Sequence, residues 1–145
     1  MFFCYLLIIF AIIPSISVCL CAPSPVNATF CQADWVSRVY VNSTELLIEK
    51  HIRQYTVTHL EVFKYPSNAT RELSPEIRTA PFDSFCGVML ELGGDNEFLL
   101  SGKESNGTLT MEICDQIVPK PKNVELKWEK YPVNFTETLE SIECD

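Results

Sequence analysis

Six cysteines constrain this chain more than any other feature of its sequence. They stand at Cys19, Cys21, Cys31, Cys86, Cys114 and Cys144, and so tie together nearly everything after residue 18. A seventh, Cys4, lies in the opening run MFFCYLLIIFAIIPSISV, which has no charged side chain. The apolar part of that run, Phe2 to Ile13, is shorter than the roughly 20 residues a helix needs to cross a bilayer. It has the length of the apolar segment of a secretory signal, with Pro14 and Ser15 to Ser17 breaking it before a cut. Residues 1–18 are therefore expected to be a signal peptide. Residues 19–145 are then one secreted domain by size. An even number of cysteines in such a domain reads as three disulfides, whose pairing the count alone leaves open. A structural zinc site is disfavoured: there is no Cys-x-x-Cys, and His51 and His59 are distant from every cysteine in sequence.

The chain carries a formal charge of −8, all of it after residue 18. That excludes nucleic acid, heparin and anionic membrane as main partners, since each selects a basic surface. Five Asn-x-Thr or Asn-x-Ser-type acceptor sites, at Asn27, Asn42, Asn68, Asn106 and Asn134, agree with secretion, and any that carries glycan must face solvent.

The mature part reads mainly as strands. DWVSRVYV (34–41) is rich in β-branched and aromatic residues, and a polar, partly helical pattern follows in NSTELLIEKH. RQYTVTHLEVFKY (53–65) is a long strand whose apolar set shifts phase between Val57 and Leu60, the mark of a bulge. EIRTAP (76–81) and FCGVMLEL (85–92) read as two further short strands. EFLLSGK and GTLTMEIC form a hairpin about Asn106-Gly107, with Leu109, Met111 and Ile113 on one face. A proline-broken connector, DQIVPKPKN, leads to a short terminal helix at 136–143, with Thr136 as its N-cap and Leu139 and Ile142 on one face. Several short strands and a terminal helix in one small domain predict a small Greek-key β-barrel.

Catalytic patterns are absent from the sequence. There is no His-Glu-x-x-His and no Gly-x-Ser-x-Gly; SGK (101–103) lacks the upstream glycine of a phosphate loop and reads as strand and turn. His51 and His59 read as surface or strand residues, and Trp35 and Trp128 as packing. If all six cysteines pair, none is left as a nucleophile. An enzyme is not expected.

The unusual feature is VCLCAPSP, Val18 to Pro25. Bonding both Cys19 and Cys21 to distant cysteines pins the start of the mature chain as a stiff ridge, and Pro23 and Pro25 stiffen it by fixing φ. A rigid edge suits a tight binder, because its ordering cost is met before binding. A free α-amino group, with a pKa of about 7.7–8.0, can combine with the carbonyl oxygen of the same residue to chelate a metal. Catalytic zinc keeps an open coordination position that such a chelate can fill.

At these residues the sequence resembles the tissue inhibitors of metalloproteinases, in their N-terminal netrin-like domain. CLCAPSPVNATFC matches the family's Cys-x-Cys-x9-Cys opening. FCQADWVSRVYV resembles its first strand, with Asp34, Val36 and Arg38 in matching places. FDSFCG resembles the segment at the fourth cysteine, matching at Ser84 and Cys86, and EFLLSGK with GTLTMEIC resembles the hairpin before the fifth. The resemblance implies a mainly β fold, a five-stranded barrel of oligonucleotide/oligosaccharide-binding (OB) type with short flanking helices. It implies the disulfides Cys19–Cys86, Cys21–Cys114 and Cys31–Cys144. It implies an inhibitory edge of Cys19, Leu20, Cys21, Ala22 and Pro23 with the loop Phe82 to Cys86, where Ser84 and Phe85 stand. Cys19 would chelate the zinc of a target protease through its amino nitrogen and carbonyl oxygen, and Leu20 would enter the primed-side pocket beside the scissile bond. The expected molecule is a monomer in the extracellular space or matrix. It has no cofactor of its own and is not attached to a membrane, and its partners are extracellular zinc metalloproteinases.

Three departures bear on that expectation. Leu20 replaces the small hydroxyl residue usual in vertebrate members. The sequence has six cysteines after residue 18, where vertebrate members carry six more in a second domain; this is the pattern of short invertebrate members. Val18 is larger than the residue a signal peptidase favours, and a cut after Ser17 fits the rule better than a cut after Val18. A retained Val18 would turn the Cys19 amine into an amide and abolish the chelate. The alternative function is then a netrin-like extracellular binding module, a signalling or immune modulator, without inhibitory activity.

Overall fold

In a computed structural model the described residues are 19–67, 72–119 and 125–145. The expected signal peptide, the acceptor site at Asn68 and the last part of the proline connector, from residue 120, lie outside them. The elements are α1 (Val26–Gln32), β1 (Trp35–Leu47), β2 (Ile52–Lys64), β3 (Glu76–Thr79), β4 (Glu97–Ser105), β5 (Thr108–Thr110) and α2 (Phe135–Glu140). The strands close into a barrel in the order β1-β2-β3-β5-β4. All neighbours are antiparallel except β3 and β5, which run parallel. This is the closed five-stranded Greek-key arrangement expected of an OB-type barrel. Among the described residues no helix is long and apolar enough to cross a membrane.

β1 carries the closure. It pairs with β2 along one edge, and its first half, Trp35 to Tyr40, pairs with β4 along the other. One strand can serve both edges only if the sheet coils sharply, and bulges supply the bend. Val39 pairs with His59 and Arg38 with Glu61, so Leu60 is an extra residue on β2; Asn42 is likewise extra on β1. The phase shift after Val57 is this bulge, but it does not turn Leu60 inward. Leu60 stays 45% exposed, while Val62 packs against the core. His59 takes the inward-leaning place. Its Nε2 lies 2.8 Å from the Ser74 carbonyl oxygen and its Nδ1 2.8 Å from Ser37 Oγ. A carbonyl only accepts, so Nε2 carries the proton and Nδ1 accepts from the Ser37 hydroxyl.

Burial pushes the His59 pKa below its ordinary value, against the smaller opposing pull of the Ser74 carbonyl. The unfolded chain therefore binds this proton at a higher pH than the folded one, and stability rises with pH across the interval between the two pKa values. We expect denaturant midpoints to fall as the pH drops below about 6.5, and a His59→Asn variant to show a smaller fall. Equal pH slopes for the two proteins would contradict this.

Alternation along β1 and β4 splits the interior in two. Trp35, Val39, Phe98 and Leu100 point into the barrel. Val36 and Leu99 point outward, yet are fully buried, because α1 and α2 cover that face with Phe30, Phe135 and Leu139. Trp35 donates through Nε1 to the Lys103 carbonyl at 3.0 Å. Trp128 stacks between Phe63 and Tyr131, with the Arg38 guanidinium 5.1 Å from its ring centre. Both tryptophans are packing residues.

Local expectations fail in three places. NSTELLIEKH is not helical: β1 continues to Leu47, and only Ile48–Lys50 form a 3-10 turn before His51, which takes the left-handed conformation at φ 52°. Asn42 to Glu45 are exposed on consecutive positions of β1, so these polar residues hide the strand period. FCGVMLEL is not a strand. At Val88 and Leu90 its backbone is bonded to side chains instead of a neighbouring strand: the Val88 amide donates to Thr79 Oγ1 at 2.9 Å, and the Tyr55 hydroxyl donates to the Val88 carbonyl at 2.9 Å and accepts from the Leu90 amide at 3.1 Å. The terminal helix begins at Phe135 behind Asn134, not behind Thr136, and Asn134 makes no side-chain cap bond. The hairpin turn is as expected, with Asn106 at φ 50° and Gly107 at φ 81°, both left-handed as a tight primed turn requires, but the second arm is strand only over Thr108–Thr110, and Ile113 opens a 3-10 turn.

Candidate functional site

Residues 19–25 have no regular secondary structure, and Leu20 to Pro25 are all exposed. Two covalent bonds hold this segment. Cys19 is bonded to Cys86, in the loop after β3, and Cys21 to Cys114, in the turn after β5, each with Cα atoms 5.2 Å apart. Leu20 lies between these anchors and is 85% exposed. Its backbone is tethered on both sides, so the side chain is presented to solvent from a restrained segment. The third bond, Cys31–Cys144, joins the end of α1 to the chain beyond α2.

The loop 82–87 forms the other bank. The amides of Phe85 and Gly87 both donate to the Phe82 carbonyl, at 3.1 Å, and the Cys86 amide donates to Asp83 at 3.0 Å. The turn closes with Cys86 at φ 65°. Gly87 follows because a Cβ there would sit 2.4 Å from the Ala80 carbonyl oxygen. The Cys86 carbonyl accepts from the Ile113 amide at 2.9 Å, which ties this loop to the turn that carries Cys114. Phe85 is 64% and Phe82 50% exposed, and Ser84 also faces solvent. The residues expected at the edge, Cys19 to Pro23 with Ser84 and Phe85, are thus brought to one place. Phe82, named from sequence only as the start of the loop, adds a second exposed ring; a Phe-x-x-Phe pair just ahead of a tethered cysteine is the signal for it. The edge is apolar, with Asp83 as its only charged side chain.

Among the described residues, one group has three His, Cys, Asp or Glu ligand atoms close enough to share a metal: the sulfurs of Cys19, Cys21 and Cys114, within 4.8 Å of one another. All three are spent in disulfides, whereas zinc binds thiolate. These sulfurs are therefore not free to act as zinc ligands while both bonds are closed. Asn27, Asn42, Asn106 and Asn134 are all exposed. Asn27 stands on the first turn of α1, two residues beyond Pro25.

The model of the family described as "Tissue inhibitor of metalloproteinase" matches residues 17–127. The chain belongs to the tissue inhibitor of metalloproteinase family. Metalloproteinase inhibitor 2 of Bos taurus is 36% identical over 126 residues, covering 81% of this chain and 55% of that one. Its Homo sapiens counterpart is 32% identical over 123 residues, covering 79% and 54%. A Caenorhabditis elegans protein, tag-225, provisionally named as a metalloproteinase inhibitor, is 32% identical over 154 residues, covering 95% and 96%. The chain thus spans about half the length of the two mammalian relatives and nearly all of the nematode one. These members of the family are named as inhibitors of enzymes, not as enzymes. The match to the tissue-inhibitor model stops at residue 127, but the last residues are integral to the barrel, since Phe135 and Leu139 are buried against it and Cys144 is bonded to Cys31.

Proposed function

We propose that this protein is a secreted, monomeric inhibitor of zinc metalloproteinases of the extracellular space or matrix. The mature chain begins at Cys19, whose α-amino nitrogen and carbonyl oxygen chelate the zinc of the target protease, and Leu20 fills the primed-side pocket next to it. Cys21, Ala22 and Pro23 continue along the cleft, and Phe82, Ser84 and Phe85 contact the other bank. The zinc belongs to the protease, and the inhibitor needs no cofactor of its own. The observation that carries this reading is the exposure of Leu20 between two disulfide-anchored residues. Such an edge enters a cleft with little further loss of conformational freedom.

The test begins with the N-terminal residue of the secreted protein, measured by intact mass after deglycosylation. Protein starting at Cys19 is then titrated against matrix and disintegrin-type metalloproteinases. Stoichiometric inhibition of at least one is expected. No inhibition by that form would sink the reading and favour a binding module on the same scaffold. Leu20→Ala removes most of a side chain that is 85% exposed in the free protein, without the added backbone freedom of glycine, so the denaturation midpoint should not change. Burying a leucine is worth about 1.5–3 kcal/mol, so inhibition should weaken by roughly 10- to 100-fold.

A further inference from the structure

Two of the three disulfides touch. Cys19 Sγ lies 3.9 Å from Cys114 Sγ, although these sulfurs belong to different bonds. Cys21 and Cys114 are exposed, while Cys19 and Cys86 are half-buried. The third bond is set apart, with Cys31 Sγ beside the Glu143 carbonyl at the far end of the chain.

We propose that this pair of disulfides is a thiol-exchange site, at which an external thiol that opens Cys21–Cys114 is relayed to Cys19–Cys86. Exchange proceeds by attack of a thiolate on one sulfur of a disulfide, and access decides which sulfur is reached first. The exposed Cys21 Sγ is the entry point. The incoming thiolate bonds to Cys21, the Cys21–Cys114 bond breaks, and its electron pair leaves on Cys114 as a thiolate. That thiolate is already in contact with Cys19 Sγ. Its attack there forms Cys19–Cys114 and expels Cys86 as a thiolate. Cys86 can then attack Cys21 Sγ in the mixed disulfide, forming Cys21–Cys86 and returning the external thiol unchanged. No net oxidation or reduction takes place, and the reactant is a catalyst of the class of glutathione or the dithiol of an oxidoreductase. The outcome is an isomer in which the anchors on either side of Leu20 have traded partners. Leu20 stays tethered, but its backbone is re-aimed against loop 82–87. Neither the site nor its chemistry depends on what the edge binds.

The experiment uses the folded full-length secreted protein. It is incubated with reduced glutathione without denaturant, thiols are capped with N-ethylmaleimide at intervals, and the bonds are mapped by mass spectrometry of unreduced peptides. The expected early products are a Cys19–Cys114 or Cys21–Cys86 cross-linked peptide and capped Cys86, while Cys31–Cys144 stays closed. Capped Cys114 with Cys19–Cys86 intact throughout would overturn the relay, as would opening of all three bonds together. A Cys21→Ser variant supplies the Cys114 thiol without glutathione. It should be secreted with a Cys19–Cys114 fraction and free Cys86; Cys19–Cys86 as its sole pairing at this end would also overturn the proposal. If that variant is not secreted, the wild-type time course decides.

Discussion

Protein that keeps Val18 in front of Cys19 should inhibit metalloproteinases at least about 100-fold more weakly than protein starting at Cys19, a difference of about 2.7 kcal/mol. The two forms share every contact of the edge: both disulfides, the exposed Leu20, and the banks at Phe82 and Phe85. They differ in one nitrogen. A terminal amine has a lone pair that it frees cheaply near neutral pH, with a pKa of about 7.7–8.0. An amide nitrogen has its lone pair delocalised into the carbonyl and makes no comparable ligand. Folding should be untouched, since Cys19 keeps its bond to Cys86. The measurement is a pair of inhibition titrations on intact-mass-verified forms, one made with a signal that forces cleavage before Cys19 and one with Val18 retained. Equal inhibition by the two would eliminate zinc chelation as the mechanism while leaving the edge as a binding surface.

Gly102→Ala should prevent secretion of folded protein, or lower its stability by more than about 4 kcal/mol, a loss that few mechanisms produce, overpacking against fixed backbone being one of them. Gly102 pairs with Trp35 across the β1–β4 ladder. A Cβ on it would fall 1.9 Å from the Thr110 carbonyl oxygen and 3.0 Å from that carbonyl carbon. These are backbone atoms of the β4–β5 hairpin, so no rotamer change relieves the clash; β5 must move away from β4 and with it the parallel contact to β3 that closes the barrel. Gly107→Ala is the control. Its Cβ meets nothing within 4 Å, and the cost is only that of holding alanine at φ 81°, about 1 kcal/mol. Secretion yield and urea midpoint of the two variants test the contrast. Near-normal stability of Gly102→Ala would mean that β4 and β5 are not in such close approach.

Much of this fold can be read in the sequence where the signal is local or covalent. The Asn106-Gly107 turn, the alternation of Leu109 and Met111, and the change of phase after Val57 each declare themselves within a few residues. The six cysteines, with the strand motifs beside them, carry the family resemblance. What stays hidden is decided at a distance. Residues 85–92 have the composition of a strand, but the partners of Val88 and Leu90 are the side chains of Thr79 and Tyr55, which no local pattern reveals. The far half of β1 is the converse case: Asn42 to Glu45 are all exposed, so no apolar period marks it, although its ladder to β2 runs to Leu47. At the edge, Cys19 to Pro23 stood out because two cysteines with one residue between them are rare. Phe82 did not, since an exposed phenylalanine looks like a buried one until the loop is seen.

The three disulfides have a consequence for survival among proteases. Their spans, 19–86, 21–114 and 31–144, overlap in series. Any single peptide bond between Cys19 and Cys144 therefore lies inside at least one covalent ring. An endoprotease that cuts a surface loop of this molecule nicks it without releasing a fragment. The severed ends stay at the concentration set by the ring, the barrel keeps both halves of its core, and the damaged molecule remains one particle. Only two cuts placed within the same arc, with no cysteine-bearing link left on the excised piece, can take anything away.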